Sequence, residues 1–286
     1  MKSVADTSDV SIDEIETMLS DAAQEQHQKK PSEIRSLGID EIALVKGQGN
    51  YCAVLVDIEK KKLVAILENR TKKAIAQELK SWGEGTLSQI EYVSIDLWSG
   101  YRSLVEEMIP NAVVVADRFH VMKLINEELD KQRKTQKRAA LKDKNKSKTE
   151  EILSGLAKSK YPLLKNESSL TEAQKEKLKQ VKQVCPVLGK MHELKEEFRR
   201  IFEDSQDWVT GILKLADWLC NAPNYYPQSK KTIIRWIGEI VSYFDERISS
   251  GVVEGINNKL KLIKRSAYGM RNFNNFRTRC LLSWHY

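Results

Sequence analysis

The sequence contains no apolar run near the ~18 residues that a bilayer-spanning helix requires, and no signal-type hydrophobic segment follows Met1. Both absences argue against a membrane protein or a secreted one and point to the cytoplasm. Its four cysteines, Cys52, Cys185, Cys220 and Cys280, are scattered, with no C-x-x-C spacing. That excludes a disulfide framework and a cysteine zinc site, and it reads as free thiols in a reducing compartment. Glycine and proline are sparse, at 13 and 6 in 286 residues, so neither a low-complexity nor a largely disordered chain fits. What remains is an ordinary globular composition, 41% hydrophobic, long enough to bury a core in one large domain or two smaller ones.

Acidic residues are missing where they would matter most. Residues 259–279 hold seven Lys/Arg and no acid, and residues 131–148 hold nine Lys/Arg against Asp143 alone. The chain as a whole carries +7, so everything outside these two segments sums to −8. Two basic segments on a mildly acidic remainder suit nucleic acid. For 131–148 a solvated lysine-rich stretch is the plainer alternative. The second segment interleaves Tyr268, Phe273 and Phe276 with Arg271, Arg277 and Arg279, which suits phosphate contact with stacking or packing.

Hydrophobic patterning sets the organisation. Residues 1–35 are polar, with one short helix opening at Ser11. Apolar residues fill both alternating faces of 36–46, as in a central strand buried on both sides. A turn at 47–50, a strand at 51–58, a turn at 60–62 and a strand at 63–68 complete an antiparallel meander. Thr71 caps a helix through Lys80. A strand at 91–96 ends in Asp96, a helix follows, and Pro110-Asn111 break it before a short buried strand, 112–116. A long helix starts near Arg118. From about 129 to 248 no strand signal remains; Trp208, Ile212, Leu215 and Leu219 recur at helical spacing. A last helix runs from 252 to 266. The element order predicts an α/β (α+β) ribonuclease-H-like mixed sheet with helices on both faces, residues 36–128 plus 249–286, interrupted by an all-α insertion, 129–248.

Three carboxylates stand out. Asp40 lies in the doubly buried strand, where a charge is costly unless paired or metal-bound. Asp96 closes the fourth strand at its C-terminal end, where sites of α/β folds gather. Glu254 lies in the first turn of the last helix, on a polar face with Asn258, Lys261 and Arg265. Each has a plainer alternative: a lysine partner for Asp40, a helix cap for Asp96, the helix dipole for Glu254. Together they suit two Mg²⁺ (or Mn²⁺) ions, which take oxygen ligands and clamp both oxygens of a phosphoryl displacement. Asp117 and His120 form a D-x-x-H step whose plainer reading is a helix cap with a core histidine.

At these residues the sequence resembles a known family. The segments LGIDEIALVKGQGNY, VSIDLWSGYRSLVEEMIPNAVVVADRFHVMKLIN and VEGINNKLKLIKRSAYGMRNFNNFR resemble the transposases of IS-L-three insertion sequences, over roughly 36–282. The resemblance implies a DDE catalytic core that cleaves and joins insertion-sequence DNA with divalent metal. Carried over, the triad is Asp40, Asp96 and Glu254, with Asp117 the alternative second acid. The Asp117-x-x-His120 step resembles that of Mutator-like relatives and lies apart from the triad. Asn257 takes an accessory place, and Lys261, Lys264, Arg265, Arg271 and Arg277 are the candidates for DNA contact. The implied partners are double-stranded DNA, as terminal inverted repeats and target, and further copies of the chain on that DNA; the implied place is the nucleoid. Such transposases carry an N-terminal zinc motif and helix-turn-helix. Here residues 1–35 read as a remnant and linker, with 4–26 resembling only the tail of the helix-turn-helix, and Ser249-Ser250-Gly251 stand in place of T-N-G. A shortened, inactive DNA-binding remnant and a structure-specific nuclease on the same fold are therefore rival readings.

Overall fold

A computed structural model describes residues 7–28, 30–43, 51–248, 251–266 and 272–285. The turn read at 47–50, Tyr268 and Arg271 lie outside them. In chain order the elements are helix α1 (Ile12–Gln28), strands β1 (Ser36–Ala43), β2 (Tyr51–Asp57) and β3 (Lys62–Leu67), helices α2 (Lys72–Trp82) and α3 (Glu84–Leu87), β4 (Tyr92–Ile95), α4 (Ser99–Met108) and β5 (Val113–Ala116). Nine helices follow among the described residues: α5 (Arg118–Ala140), α6 (Lys146–Leu156), α7 (Lys160–Leu164), α8 (Glu172–Val184), α9 (Pro186–Asp204), α10 (Trp208–Asn221), α11 (Pro227–Arg235), α12 (Ile237–Val241) and α13 (Tyr243–Glu246). Last come α14 (Gly251–Ser266) and α15 (Phe273–His285). No described helix is long and apolar enough to cross a membrane.

The chain divides into two compact units: Met1–Asp117 with Ile248–Tyr286, and Arg118–Arg247. The division falls at Asp117/Arg118, so the whole of α5 goes with the helical unit.

In the first unit a five-stranded sheet has the order β3-β2-β1-β4-β5. β1–β2–β3 are antiparallel, and β1, β4 and β5 are parallel to one another. This is the ribonuclease-H-like mixed sheet that the element order predicts. Each element has its local cause. Val54, Leu55 and Val56 of β2 are fully buried, so successive residues on both faces are apolar. The Thr71 hydroxyl accepts the Ala74 N–H and caps α2, a contact that stabilises by about 1 kcal/mol. Ser11 and Glu14 bond reciprocally at the start of α1, which packs against α15.

Helix α14 lies on β1 through Val253, Ile256 and Leu260, with Glu254, Asn258, Lys261 and Arg265 on its outer face. The approach is close because residue 38 is glycine. A Cβ there would stand 2.7 Å from Val253 Cγ2. Gly38→Ala is expected to lower stability by about 1–3 kcal/mol in a urea titration, since neither strand nor helix can yield freely. An unchanged midpoint would show that α14 is held elsewhere.

The second unit is wholly helical among its described residues. Its core is α9, whose Leu188, Met191, Leu194, Phe198 and Phe202 are buried. The Trp218 indole donates to the Leu194 carbonyl at 2.7 Å and the Tyr226 hydroxyl to the Met191 carbonyl at 2.6 Å. Glu128 of α5 accepts the Gln228 and Ser229 N–H groups at the positive end of α11. The register of α10 differs from the sequence reading. Its buried stripe is Gly211, Leu215 and Trp218, while Trp208 is 52% exposed. Gly211 sets that phase, because Phe244 fills the place a Cβ would take.

Candidate active site

Strand register assembles the acids. β1 and β4 are adjacent and parallel, with Ile39 opposite Ile95, and β4 and β5 continue the row with Ile95 opposite Ala116. The next residue on each strand is an aspartate: Asp40, Asp96, Asp117. Neighbouring strands lie about 4.8 Å apart, so the register sets these three in one row across the C-terminal ends of the parallel strands. Carboxylate oxygens of Asp40 and Asp96 lie within 4.8 Å of each other. Both are half-buried. Asp117, one strand further, is buried, and its N–H donates to the Ile95 carbonyl at 2.8 Å. Asp96 is not the cap of the following helix, which begins at Ser99 after Trp98.

Asp40 is held on both oxygens. Oδ1 accepts the Glu41 N–H at 2.7 Å, and Oδ2 accepts the Asn257 Nδ2 at 2.5 Å. Asn257 is buried on α14, and its own Oδ1 is buried with no hydrogen-bond partner. A buried amide oxygen without a partner, on the side chain bonded to Asp40, is of the donor type that hard divalent cations take. Glu254 stands one turn before Asn257 on the same helix, exposed. It belongs to no group of three metal-binding side chains within 4.8 Å among the described residues. The structure thus brings Asp96 and Asn257 each to Asp40 and leaves Glu254 exposed on the helix.

Three residues near these carboxylates escaped the sequence reading. Glu41 pairs with Arg70, whose guanidinium lies 4.6 Å from the centre of the Tyr51 ring. Tyr101 of α4 is fully buried, and its hydroxyl has no hydrogen-bond partner. Burial, then the charges of Glu41, Asp96 and Asp40, raise its pKa against the opposing effect of Arg70. The phenol therefore stays protonated. In sequence Tyr101 shows only helical spacing with Leu104 and Val105, the pattern of a core residue.

The cations proposed for DNA contact part company. Lys261 and Arg265 are exposed, the Arg265 Nε resting on the Lys261 carbonyl at 3.3 Å. Lys264 instead donates to the Ala43 carbonyl at 2.8 Å, tying α14 to β1. Arg277 is half-buried, and burial lowers its pKa while the Glu78 charge opposes the shift. Its helix, α15, packs against β3. Lys259, exposed, lies 4.0 Å from the centre of the Trp284 ring and donates to the Ser283 carbonyl. Arg271 lies outside the described residues. His120 belongs to the helical unit, on the first turn of α5, with Phe119 edge-on to its ring at 5.4 Å.

Residues 37–280 match a protein family described as transposase. The chain is 28% identical over 257 residues to the transposase for insertion sequence element IS1557 of Mycobacterium tuberculosis, a match covering 84% of this chain and 57% of that protein. It is 26% identical over 254 residues to the transposase for insertion sequence element IS1001 of Bordetella parapertussis, covering 84% of this chain and 59% of that one. The chain thus spans under two thirds of the length of these relatives.

Proposed function

Because the chain belongs to the IS-L-three family of transposases, we propose that it cleaves and joins insertion-sequence DNA ends at the aspartate row, in a metal-dependent reaction. The observation that carries this reading is the pairing of Asp40 and Asp96 on adjacent parallel strands, with carboxylate oxygens within 4.8 Å. Two acids this close repel unless a cation lies between them, and two ligand atoms of one cation have such a separation.

In this reading Asp40 and Asp96 hold Mg²⁺ or Mn²⁺, two ions in all, with Glu254 supplied from α14. When bound, the ions lower the pKa of water and stabilise charge on the attacking and leaving oxygens. The chain's own groups prepare the site. The Glu41 N–H and the Asn257 amide fix both oxygens of Asp40. Lys264 anchors α14, and with it Glu254 and Asn257, to the end of β1. Lys261 and Arg265 hold phosphates of the DNA from the exposed face of the same helix. Asp117 and His120 keep accessory places. The partners in this reading are double-stranded DNA, as inverted-repeat ends and target, and other copies of the chain assembled on it in the nucleoid.

Labelled DNA ends from the sequence flanking the gene, incubated with the chain and Mn²⁺ or Mg²⁺, test the reading. Nicking and joining that both require metal are expected. Hydrolysis without joining would make the chain a structure-specific nuclease. Binding with no cleavage at any metal concentration would overturn the enzyme and leave a DNA-binding protein.

A further inference from the structure

The basic stretch 131–148 has no part in the site described above, and its first half belongs to a shaped surface. Helix α5 and the short helix α7 border a groove of about 620 Å³ in the helical unit. Lys123, Lys131, Lys134 and Arg138 of α5 and Lys160 of α7 line it, all exposed. Spacings of three, four and eight residues keep the α5 cations on one helix face. From Phe119 to Arg138 that face runs about 28 Å at 1.5 Å per residue. Eight phosphates of one B-DNA strand, at ~3.4 Å each, cover the same length.

The charges in the groove are available. Its two acids are Glu127 and Asp130. Asp130 is buried and already taken by Arg133 and Lys134, each at 2.8 Å. No ion pair engages Lys123, Lys131, Arg138 or Lys160 among the described residues. A merely solvated basic helix needs no apolar floor. This one has Phe119, 47% exposed, with Met122 and Leu164 beside it. Cations along the walls and an aromatic ring at one end suit a nucleic-acid strand, whose phosphates meet the former and whose sugars or unstacked bases meet the latter. An acidic polypeptide would use the charges and leave the floor without purpose.

We propose that this groove binds the DNA backbone independently of sequence, as a second DNA-binding surface apart from the aspartate row. That the nucleic acid is DNA rests on the function proposed above. The test is fluorescence anisotropy of a labelled duplex of arbitrary sequence with the full chain, in EDTA, across a salt series. The variant is Lys123→Gln/Lys131→Gln/Arg138→Gln; Lys134 is spared because its loss would strip a partner from buried Asp130. The control is Lys175→Gln/Lys179→Gln/Lys190→Gln, the same charge change on α8 and α9.

Losing three phosphate contacts is expected to reduce the slope of log K against log salt by about 2.7, and to weaken binding at least ~10-fold near physiological salt. The control should shift Kd less than about twofold by the same logic. Equal effects of the two triples, or an unchanged slope in the first with an unchanged melting temperature, would overturn the groove. So would polyglutamate competing as strongly as DNA, which would assign it to an acidic partner. Because EDTA removes metal chemistry, the outcomes separate. Groove-dependent binding without metal-dependent cleavage sinks only the enzyme reading; cleavage with an unaltered salt slope sinks only the groove.

Discussion

Asp96→Asn is expected to lower metal-dependent DNA cleavage by about 1,000-fold, the equivalent of ~4 kcal/mol of transition-state stabilisation, without lowering the melting temperature. The two halves of this expectation have one cause. Asp96 stands beside Asp40, with oxygens within 4.8 Å. Without a cation, two such carboxylates oppose each other, so neutralising one relieves repulsion in the folded state. With a cation, the same change removes a charged ligand from the reaction centre. A residue that costs stability and supports catalysis is the signature of a site as opposed to a structural pair. Asp117→Asn should behave in the opposite way. Asp117 is only 7% exposed, and it follows Ala116 on the outer parallel strand, one strand further from Asp40. Its replacement is expected to lower the melting temperature while cleavage by the folded fraction falls no more than about tenfold. Parallel assays of nicking and thermal melts on both variants decide the matter. A reversed pattern would move the second acid from Asp96 to Asp117.

How far the sequence foretold this differs by element, for physical reasons. The strands were legible because β1, β2 and β4 are buried on both faces, and runs such as Cys52–Val56 admit no other reading. Element order predicted the ribonuclease-H-like sheet, whereas the register that sets Asp40 beside Asp96 is seen only in the structure. The Asn257–Asp40 bond was not legible. It depends on the rotation of α14, and a buried asparagine on an otherwise apolar face gives no sign of what it meets. The half-burial of Arg277 was not legible because a basic segment looks uniform in sequence, whereas packing of α15 decides which cation is inside. The helical unit was least legible. In α9 the stretch Leu194–Arg200 looks like a solvated charged turn, yet Lys195 and Glu196 are each 1% exposed. Lys195 Nζ reaches the Leu163 and Lys165 carbonyls and Glu196 Oε1, an arrangement that only the meeting of α7 with α9 creates. Local period cannot reveal a polar group that is satisfied by a distant carbonyl.

The same buried cluster makes the helical unit sensitive to acid well above the carboxylate range. His192 is fully buried, and neither ring nitrogen has a hydrogen-bond partner. Burial, reinforced by the charges of Lys195 and Lys182 and only partly offset by Glu196, lowers its pKa from 6.5 to about 3. Between these values the unfolded chain binds a proton that the folded chain refuses. Stability therefore falls as the pH drops from 6.5 towards 3, and is unaffected by this group above 6.5. Each pH unit well inside the window is worth ~1.4 kcal/mol, so moving from pH 6.5 to 4.5 costs about 2 kcal/mol through this one residue. Asp130, Glu196 and Asp207, whose pKa values are lowered from the ordinary 3.8 of an Asp or 4.5 of a Glu, begin to matter only at the lower edge of that interval. The interval thus isolates the imidazole. His192→Leu keeps an apolar side chain of similar size in place and removes the titration. Urea midpoints are expected to fall steeply between pH 6.5 and 4.5 in the natural chain and to stay nearly level in the variant. The variant should also be the more stable of the two at pH 5, since it buries no polar nitrogen without a partner. Equal slopes in both proteins would mean that water reaches the imidazole and lets it charge within the fold.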